Sequence, residues 1–301
     1  MTDTLTEMDP ETKTDPQIET DPQTTTNPQT KLQTTTKPLT VTGPHTLQGH
    51  TGPVLCVVFS PSGAQVASGS GDSTVRLWNA EDGDCQHVLV GHDSRVNNVA
   101  YSPPGDQVAS ASHDNTVRLW DADTGECRHI YIGHTDSVFV VRFSPQGNTI
   151  ASGGKDRTVR LWNAVGRTCK TLTAHTDIIT CIEFSTEGEH IVSGSGDCSA
   201  RLWNVASGQC QAVIHDSQGW INDIAWGSTS ETDYLVVGCH DGSMRMWQIE
   251  KKDRSRVSLR WRTTKAELTV KGITTHEMEG LSELNIRLLE QRGVLESRIE
   301  T

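Results

Sequence analysis

Serine, histidine and aspartate side chains recur together four times in this sequence, each time followed by a tryptophan. The four sets are His50, Ser68, Asp72 and Trp78; His92, Ser110, Asp114 and Trp120; His134, Ser152, Asp156 and Trp162; and His175, Ser193, Asp197 and Trp203. Serine hydrolases use the first three residue types, but they need one exposed hydroxyl, a base and an oxyanion hole. No single active site requires four copies, so the pattern favours a structural role and predicts no catalytic residue.

Metal chemistry is also disfavoured by the spacing of the histidines and cysteines. No CxxC or HExxH motif occurs, although these are the spacings typical of zinc sites. His113 and His240 lie next to aspartate turns, where two such side chains could approach a metal. The sequence on balance predicts neither a metal nor a cofactor.

The four sets are parts of a longer internal repeat. The near copies are SGSGDSTVRLWNA, SASHDNTVRLWDA, SGGKDRTVRLWNA and SGSGDCSARLWNV, with a weaker fifth, GCHDGSMRMWQI, that ends on Trp247. The intervals between successive tryptophans are 42, 42, 41 and 44 residues, within the range of a four-stranded propeller blade. Short apolar runs such as VLCVVFS and VFVVRFS alternate with Gly and Asp turns, which predicts β-strands.

These repeats resemble the WD-repeat (WD40) family, in particular the repeats of G-protein β subunits and of fungal signalling ATPases. The resemblance covers residues 44–250 and rests on the Gly-His marker, the aspartate turn and the tryptophan of each unit. It implies an all-β β-propeller with at least five four-stranded blades. It also implies that the four His, Ser, Asp and Trp sets form buried hydrogen-bond networks, a role that suits their donors and acceptors.

The fifth repeat departs from this pattern. Val237 stands where the serine is expected, and the interval from His215 to Asp241 is longer than in the other repeats. We therefore expect the fifth blade to be the loosest.

Positions that differ between the copies are freer to bind a partner than positions that recur. By the topology of the family, the loop after each histidine and the turn before each aspartate emerge on one face of the ring. The candidate partner-binding residues in these two sets are Arg95, His113, Ser137, Lys155, Ile178, Trp220 and His240. Arg95 and Trp220 are the leading candidates because Arg and Trp are enriched in interface hot spots; the alternative for Trp220 is packing beneath an insertion.

The segments that flank the repeats have different compositions. Residues 1–43 are rich in Thr, Pro, Gln and Asp, which predicts disorder. Residues 251–301 combine a basic, strand-like run with an amphipathic helix expected from Ser282 to Arg292. Three ways to end the array stay open: closure at five blades with residues 45–48 as the last outer strand, a partial sixth blade from 251–272, or an incomplete ring that associates with a second chain.

Charge and hydropathy limit the choice of partner and compartment. The chain carries a net charge of −12, which argues against nucleic acid as the principal partner. No apolar run is long enough to span a membrane, and no signal peptide is recognisable. We expect a cytoplasmic location, with the nucleus as the alternative.

The sequence therefore predicts a non-catalytic scaffold that binds other proteins or peptides in an intracellular complex or signalling pathway. The alternative is a stand-alone sensor module that partners with a signalling ATPase. No P-loop GxxxxGK[ST] occurs, so in that case the nucleotide would be bound by another chain.

Overall fold

The fold is built entirely from short β-strands in the part of the chain that the structure describes. The computed structural model describes residues 46–164, 168–215, 219–254 and 256–263. The twenty strands are β1 Val54–Phe59, β2 Gln65–Ser70, β3 Val75–Asn79, β4 Cys85–Leu89, β5 Val96–Tyr101, β6 Gln107–Ser112, β7 Thr116–Asp121, β8 Cys127–Ile132, β9 Val138–Phe143, β10 Thr149–Gly154, β11 Thr158–Asn163, β12 Cys169–Thr173, β13 Ile179–Phe184, β14 His190–Ser195, β15 Ala200–Asn204, β16 Cys210–Ile214, β17 Ile221–Ser228, β18 Thr232–Cys239, β19 Met244–Glu250 and β20 Val257–Arg262.

Each repeat folds into one antiparallel sheet of four strands in chain order. Sheet 1 contains β1–β4, sheet 2 β5–β8, sheet 3 β9–β12, sheet 4 β13–β16 and sheet 5 β17–β20. The repeated Val-Arg-Leu-Trp segment forms the third strand in sheets 1 to 3, and its Trp pairs with the Cys that begins the fourth strand. The predicted all-β fold with five four-stranded units is thereby confirmed.

Consecutive sheets pack face to face, and each junction has its own apolar core. We call the side of a sheet that faces the preceding sheet its leading face and the side that faces the following sheet its trailing face. Between sheets 1 and 2, Ala67, Val75 and Leu77 on the trailing face pack against Val99 and Trp120 on the leading face. The other three junctions repeat this arrangement with equivalent residues. Packing on both faces is what stabilises each small sheet.

The residues after the fifth repeat complete the fifth sheet. Strand Val257–Arg262 pairs with β19 as its outer strand, so this part of the basic run belongs to sheet 5 and not to a sixth unit. Residues 46–48 contain no strand and supply no outer strand to the array. Residues 1–43 and the predicted helix from Ser282 to Arg292 lie outside the described residues.

Among the described residues, none belongs to a helix that is both long and apolar enough to span a membrane.

Candidate functional site

The four His, Ser, Asp and Trp sets each form one hydrogen-bonded chain within a sheet. The histidine Nδ1 lies 2.7–2.8 Å from an aspartate Oδ2, and its Nε2 lies 2.7–2.8 Å from the serine Oγ. The tryptophan Nε1 donates to the same serine Oγ over 2.8–2.9 Å. The network thus joins the loop before the first strand to the second strand, the turn after it and the third strand.

The order of donors in this chain follows from the indole, which can only donate. Since the serine Oγ accepts the indole N–H, its own hydrogen points to His Nε2, and His Nδ1–H donates to the aspartate. This is the order found in a serine hydrolase triad. The hydroxyl, however, is buried; Ser110 is 0% exposed, and its Oγ already accepts Trp120 Nε1. A substrate could not reach it, which leaves a structural role for these residues.

The aspartates are held in their charged form. Burial alone would raise the pKa of Asp114, but hydrogen bonds from His92 and Thr116 outweigh it and hold the pKa well below its usual range. The same opposition lowers the pKa of Asp197 to about 2. Burial lowers the pKa of His175 despite the opposing hydrogen bond and charge of Asp197. Both shifts favour the neutral imidazole beside an ionised carboxylate.

A further hydroxyl belongs to each set, and the sequence analysis missed it. Thr74, Thr116, Thr158 and Ser199 donate through Oγ to the other aspartate oxygen, Oδ1, over 2.6–2.9 Å. Their backbone N–H groups also donate to Oδ1. The signal was present as a Thr or Ser two residues after every aspartate. Each carboxylate is therefore satisfied on both oxygens.

In sheets 1 to 3, an arginine two residues before the network tryptophan stacks on the indole ring. The guanidinium carbon of Arg76 lies 5.8 Å from the Trp78 ring centroid, and Arg118 and Arg160 lie 5.9 and 5.7 Å from theirs. This stacking explains the glycine before His92, because a Cβ at Gly91 would lie 2.6 Å from Arg118 Nη1. These three arginines thus make cation–π contacts, which were not predicted from the sequence.

Sheet 5 replaces this network with different contacts. Asp241 pairs with Arg245 Nη2 at 3.3 Å and accepts the Ser243 N–H at 2.9 Å. Val237 occupies the serine position, and the Trp247 indole N–H has no acceptor among the described residues. A second buried carboxylate, Asp233, pairs with Arg254 at the other end of the sheet.

Two loops of every sheet meet through one repeated backbone hydrogen bond. The residue before the first strand accepts through its carbonyl from the N–H of the residue after the second strand, over 2.8–3.0 Å. The five acceptor and donor pairs are Pro53 and Gly71, Arg95 and His113, Ser137 and Lys155, Ile178 and Gly196, and Trp220 and His240. We call these ten residues the paired-loop surface; it contains every candidate partner-binding residue.

Most of the candidates on the paired-loop surface are accessible. Arg95, His113, Lys155 and His240 are exposed, and Trp220, which lies 6.3 Å from His240 between ring centroids, is 47% exposed. Trp220 therefore presents nearly half of its surface to solvent.

Two candidates are less accessible, and one changes its role. Ile178 is half-buried. Ser137 is only 1% exposed, and its Oγ lies 2.7 Å from His113 Nδ1 of the preceding sheet. Ser137 therefore cannot contact a partner directly; it positions His113 instead. Its burial depends on the neighbouring sheet, which the repeat pattern does not specify.

A shallow depression lies beside the paired-loop surface, where sheet 3 leads into sheet 4, and Lys155 belongs to both. Its volume is about 440 Å³, and its lining includes Asp136, Lys155, Arg157 and His175. Lys155 Nζ lies 3.3 Å from Asp136 Oδ2, with both side chains largely exposed. Both signs of charge are thus presented here to a polar ligand.

The described residues contain no cluster of three or more His, Cys, Asp or Glu side chains that could hold a metal ion.

Comparisons with known proteins give the same repeat architecture as the geometry. The sequence model described as "IFT122 first beta-propeller" matches residues 73–295, and that described as "WD domain, G-beta repeat" matches residues 43–79. The chain belongs to the WD-repeat β-propeller family. WD-repeat propellers generally act as scaffolds that bind other proteins.

Curated relatives match over single short segments of this WD-repeat chain. A Notchless protein homolog from Arabidopsis thaliana is 67% identical over 33 residues, which are 11% of this chain and 7% of the relative. A serine-threonine kinase receptor-associated protein from Dictyostelium discoideum is 64% identical over 31 residues, 10% of this chain and 11% of that protein. The matches span about a tenth or less of the relatives' length.

Proposed function

We propose that this WD-repeat chain is a non-catalytic scaffold that binds protein or peptide partners through the paired-loop surface. The observation that carries this proposal is the backbone hydrogen bond that joins the two loops of every sheet. It holds side chains that differ between repeats on a repeated, rigid support. Rigid presentation limits the entropy lost on binding.

The chemistry of the paired-loop surface suits a partner with apolar and acidic groups. Trp220 and His240 form an exposed aromatic pair at sheet 5, and Arg95 and His113 lie side by side at sheet 2. Exposed Trp and Arg are the residue types most enriched in interface hot spots. We expect the partner to insert an apolar side chain against Trp220 and to place a carboxylate near Arg95.

Protein partners also suit the relatives. The Dictyostelium relative is named for association with a serine-threonine kinase receptor. We propose an intracellular location and a role in a signalling or assembly complex. A signalling ATPase is one partner of this kind, and its recovery with the chain would favour the sensor role.

Partner capture from the native cell tests this function. The wild type is compared with an Arg95→Glu/Trp220→Ala variant and with a matched control, Arg260→Glu/Ile132→Ala, whose changes lie on the outer strands of sheets 5 and 2. All four positions are exposed, so all three proteins should unfold at similar temperatures. We expect the first variant to lose specific partners that the control retains. Equal capture by all three proteins would show that the paired-loop surface is not the binding site.

A further inference from the structure

The four junctions between sheets share one apolar contact. The first residue of each first strand packs against the penultimate residue of the second strand in the preceding sheet. A Cβ at Gly69 would lie 2.7 Å from Val96 Cγ1, one at Gly153 2.5 Å from Ile179 Cγ2, and one at Gly194 2.5 Å from Ile221 Cγ2. Ala111 occupies the same position opposite Val138. A small residue on the trailing face thus receives a branched side chain from the next sheet.

Polar contacts fix the register of two of these junctions. Asn97, the second residue of its strand, donates through Nδ2 to the carbonyl of Val138, the first residue of the next sheet, over 2.8 Å. Asn98 Oδ1 accepts the N–H of Val141, the fourth residue of that strand, over 3.2 Å. Thr180 makes the corresponding donation to the Ile221 carbonyl. The junction therefore combines an apolar contact with a directed hydrogen bond.

The leading face of sheet 1 has the residues of such a junction, but none of the described residues covers it. Val54, Val57 and Phe59 are the first, fourth and sixth residues of β1, and they are 55%, 66% and 64% exposed. The equivalent residues of sheet 2, Val96, Val99 and Tyr101, are all buried against sheet 1.

This exposure is specific to the leading face of sheet 1. Val88 and Val90, at the outer strand of the same sheet, are also exposed, but so are Ile130 and Ile132 at the corresponding positions of sheet 2. Exposure at the outer strand is therefore common to internal sheets, whereas exposure at Val54, Val57 and Phe59 is not.

The trailing face of sheet 5 carries the other half of the junction, and within the described part of the chain nothing covers it either. Gly238 is the penultimate residue of β18, and the nearest atom that a Cβ there would meet is the Asp223 carbonyl oxygen at 3.9 Å. Met244, the first residue of β19, is 40% exposed, while Val75 at the equivalent position is buried. Asn222 and Asp223, in the positions of Asn97 and Asn98, are exposed as well.

We propose that the trailing face of sheet 5 binds the leading face of sheet 1 of a second copy of this chain. Val54 of one copy packs on Gly238 of the other, as Val96 packs on Gly69. The Asn222 amide donates to the Val54 carbonyl, and the Asp223 carboxylate accepts the Val57 N–H, in the places that Asn97 and Asn98 occupy at the internal junction.

A second copy is the occupant because this chain carries both halves of one junction. A trailing face packs against a leading face at four junctions within the chain. The two free faces have the residue types of such a pair. Large uncovered apolar faces mark interaction sites in soluble proteins. The contact is heterologous: the trailing face of sheet 5 in one copy binds the leading face of sheet 1 in the next, which leaves one free face at each end. The assembly therefore either closes into a ring or extends.

Two blocking variants test this assembly. Val54→Asp places a carboxylate on the leading face of sheet 1, and Gly238→Asp places one on the trailing face of sheet 5. Both positions are open in the single chain, so both variants should keep the wild-type circular dichroism spectrum and melting temperature. Ile132→Asp is the matched control, at an exposed apolar position of an internal sheet. Burying an unpaired carboxylate in the junction opposes association.

Masses are measured by light scattering and sedimentation across a dilution series. The wild type and Ile132→Asp should form assemblies of two or more copies, and each blocking variant alone should be a monomer. An equimolar mixture of the two blocking variants should form a one-to-one dimer, because each supplies the face that the other lacks. A monomeric wild type would overturn the proposal and indicate that another segment or another protein covers these faces. Self-association of either blocking variant alone would also overturn it.

Discussion

Sheets 1 to 4 and sheet 5 have the same strand order but different buried polar groups. In the first four sheets, a histidine connects the aspartate of the turn with the serine and the tryptophan of the strands. In sheet 5, Arg245 replaces the histidine as the partner of Asp241, and the Trp247 indole N–H meets no acceptor in the described part of the chain. The four-stranded topology therefore does not depend on the network.

Sheet 5 has two features that the other sheets lack. Its first three strands contain 8, 8 and 7 residues, compared with 5 or 6 in the other sheets. Asp233, which is completely buried, pairs with Arg254, and Arg254 lies 6.0 Å from the Trp226 ring centroid. The longer strands and the ion pair between Asp233 and Arg254 stabilise sheet 5 at the end opposite the turn that contains Asp241. That sheet 5 is the loosest stays a prediction.

We expect acidification to give the largest difference in stability between sheets 1 to 4 and sheet 5. The pKa of His175 lies below its ordinary value of 6.5, and those of the network aspartates lie below 3.8. The unfolded chain therefore binds more protons in both ranges, so stability falls as the pH drops, first below about 6.5 and then more steeply below about 4. Because several carboxylates contribute to the second step, its total should reach several kcal/mol.

Urea denaturation at a series of pH values measures both steps. The carboxylate step includes sheet 5, where hydrogen bonds from Ser243, despite burial, help to lower the pKa of Asp241 to about 2. The histidine step should come from sheet 4, where His175 and His190 both have lowered pKa values, and it should shrink in His175→Asn. Stability that is unchanged between pH 7 and pH 5 in the wild type would contradict the assignment of a neutral buried imidazole.

The tryptophans give a matched comparison of smaller size. Trp120→Phe removes an N–H that donates to Ser110, whereas Trp247→Phe removes an N–H with no acceptor among the described residues. Both changes remove the same atoms, but Trp120 is buried and Trp247 half-buried, so the difference between them combines the hydrogen bond with the larger cavity left at Trp120. We expect Trp120→Phe to lower the free energy of unfolding by about 1–2 kcal/mol more than Trp247→Phe. Equal losses would show that the network contributes nothing measurable to stability.

Substitutions in the turn between the second and third strands should have the smallest effect on stability. Ser73 has φ 69°, in the left-handed region, and Gly242 occupies the corresponding turn of sheet 5 with φ 81°. Glycine adopts this conformation without the steric cost that other residues carry. The two substitutions should therefore change stability in opposite directions. Ser73→Gly should raise the free energy of unfolding by up to about 1 kcal/mol, and Gly242→Ser should lower it by a similar amount. Thermal unfolding measures both, and a loss in Ser73→Gly would contradict the strain argument.

Much of the fold and part of the candidate site could be predicted from the repeats. The recurrence of Trp78 and its counterparts gave the number and strand content of the units, because one repeat of this length makes one four-stranded sheet. The resemblance to WD repeats implied a buried network that includes His92, Ser110 and Asp114, and the structure connects these side chains by hydrogen bonds. Neither the cation–π partner of Arg118 nor the burial of Ser137 was predicted, because both depend on distances between strands or sheets.

The sequence by itself determined the local pattern: where each strand and turn lies, and which donors and acceptors recur in each unit. Periodicity and turn chemistry act over a few residues, so they can be read without a structure. Only the tertiary structure decided which apolar residues are covered. Val54 and Val96 occupy the same place in their repeats, yet only Val96 is buried. Burial depends on whether another sheet packs against that face, which no local pattern records, and this difference exposes the two faces through which we propose that the chain assembles.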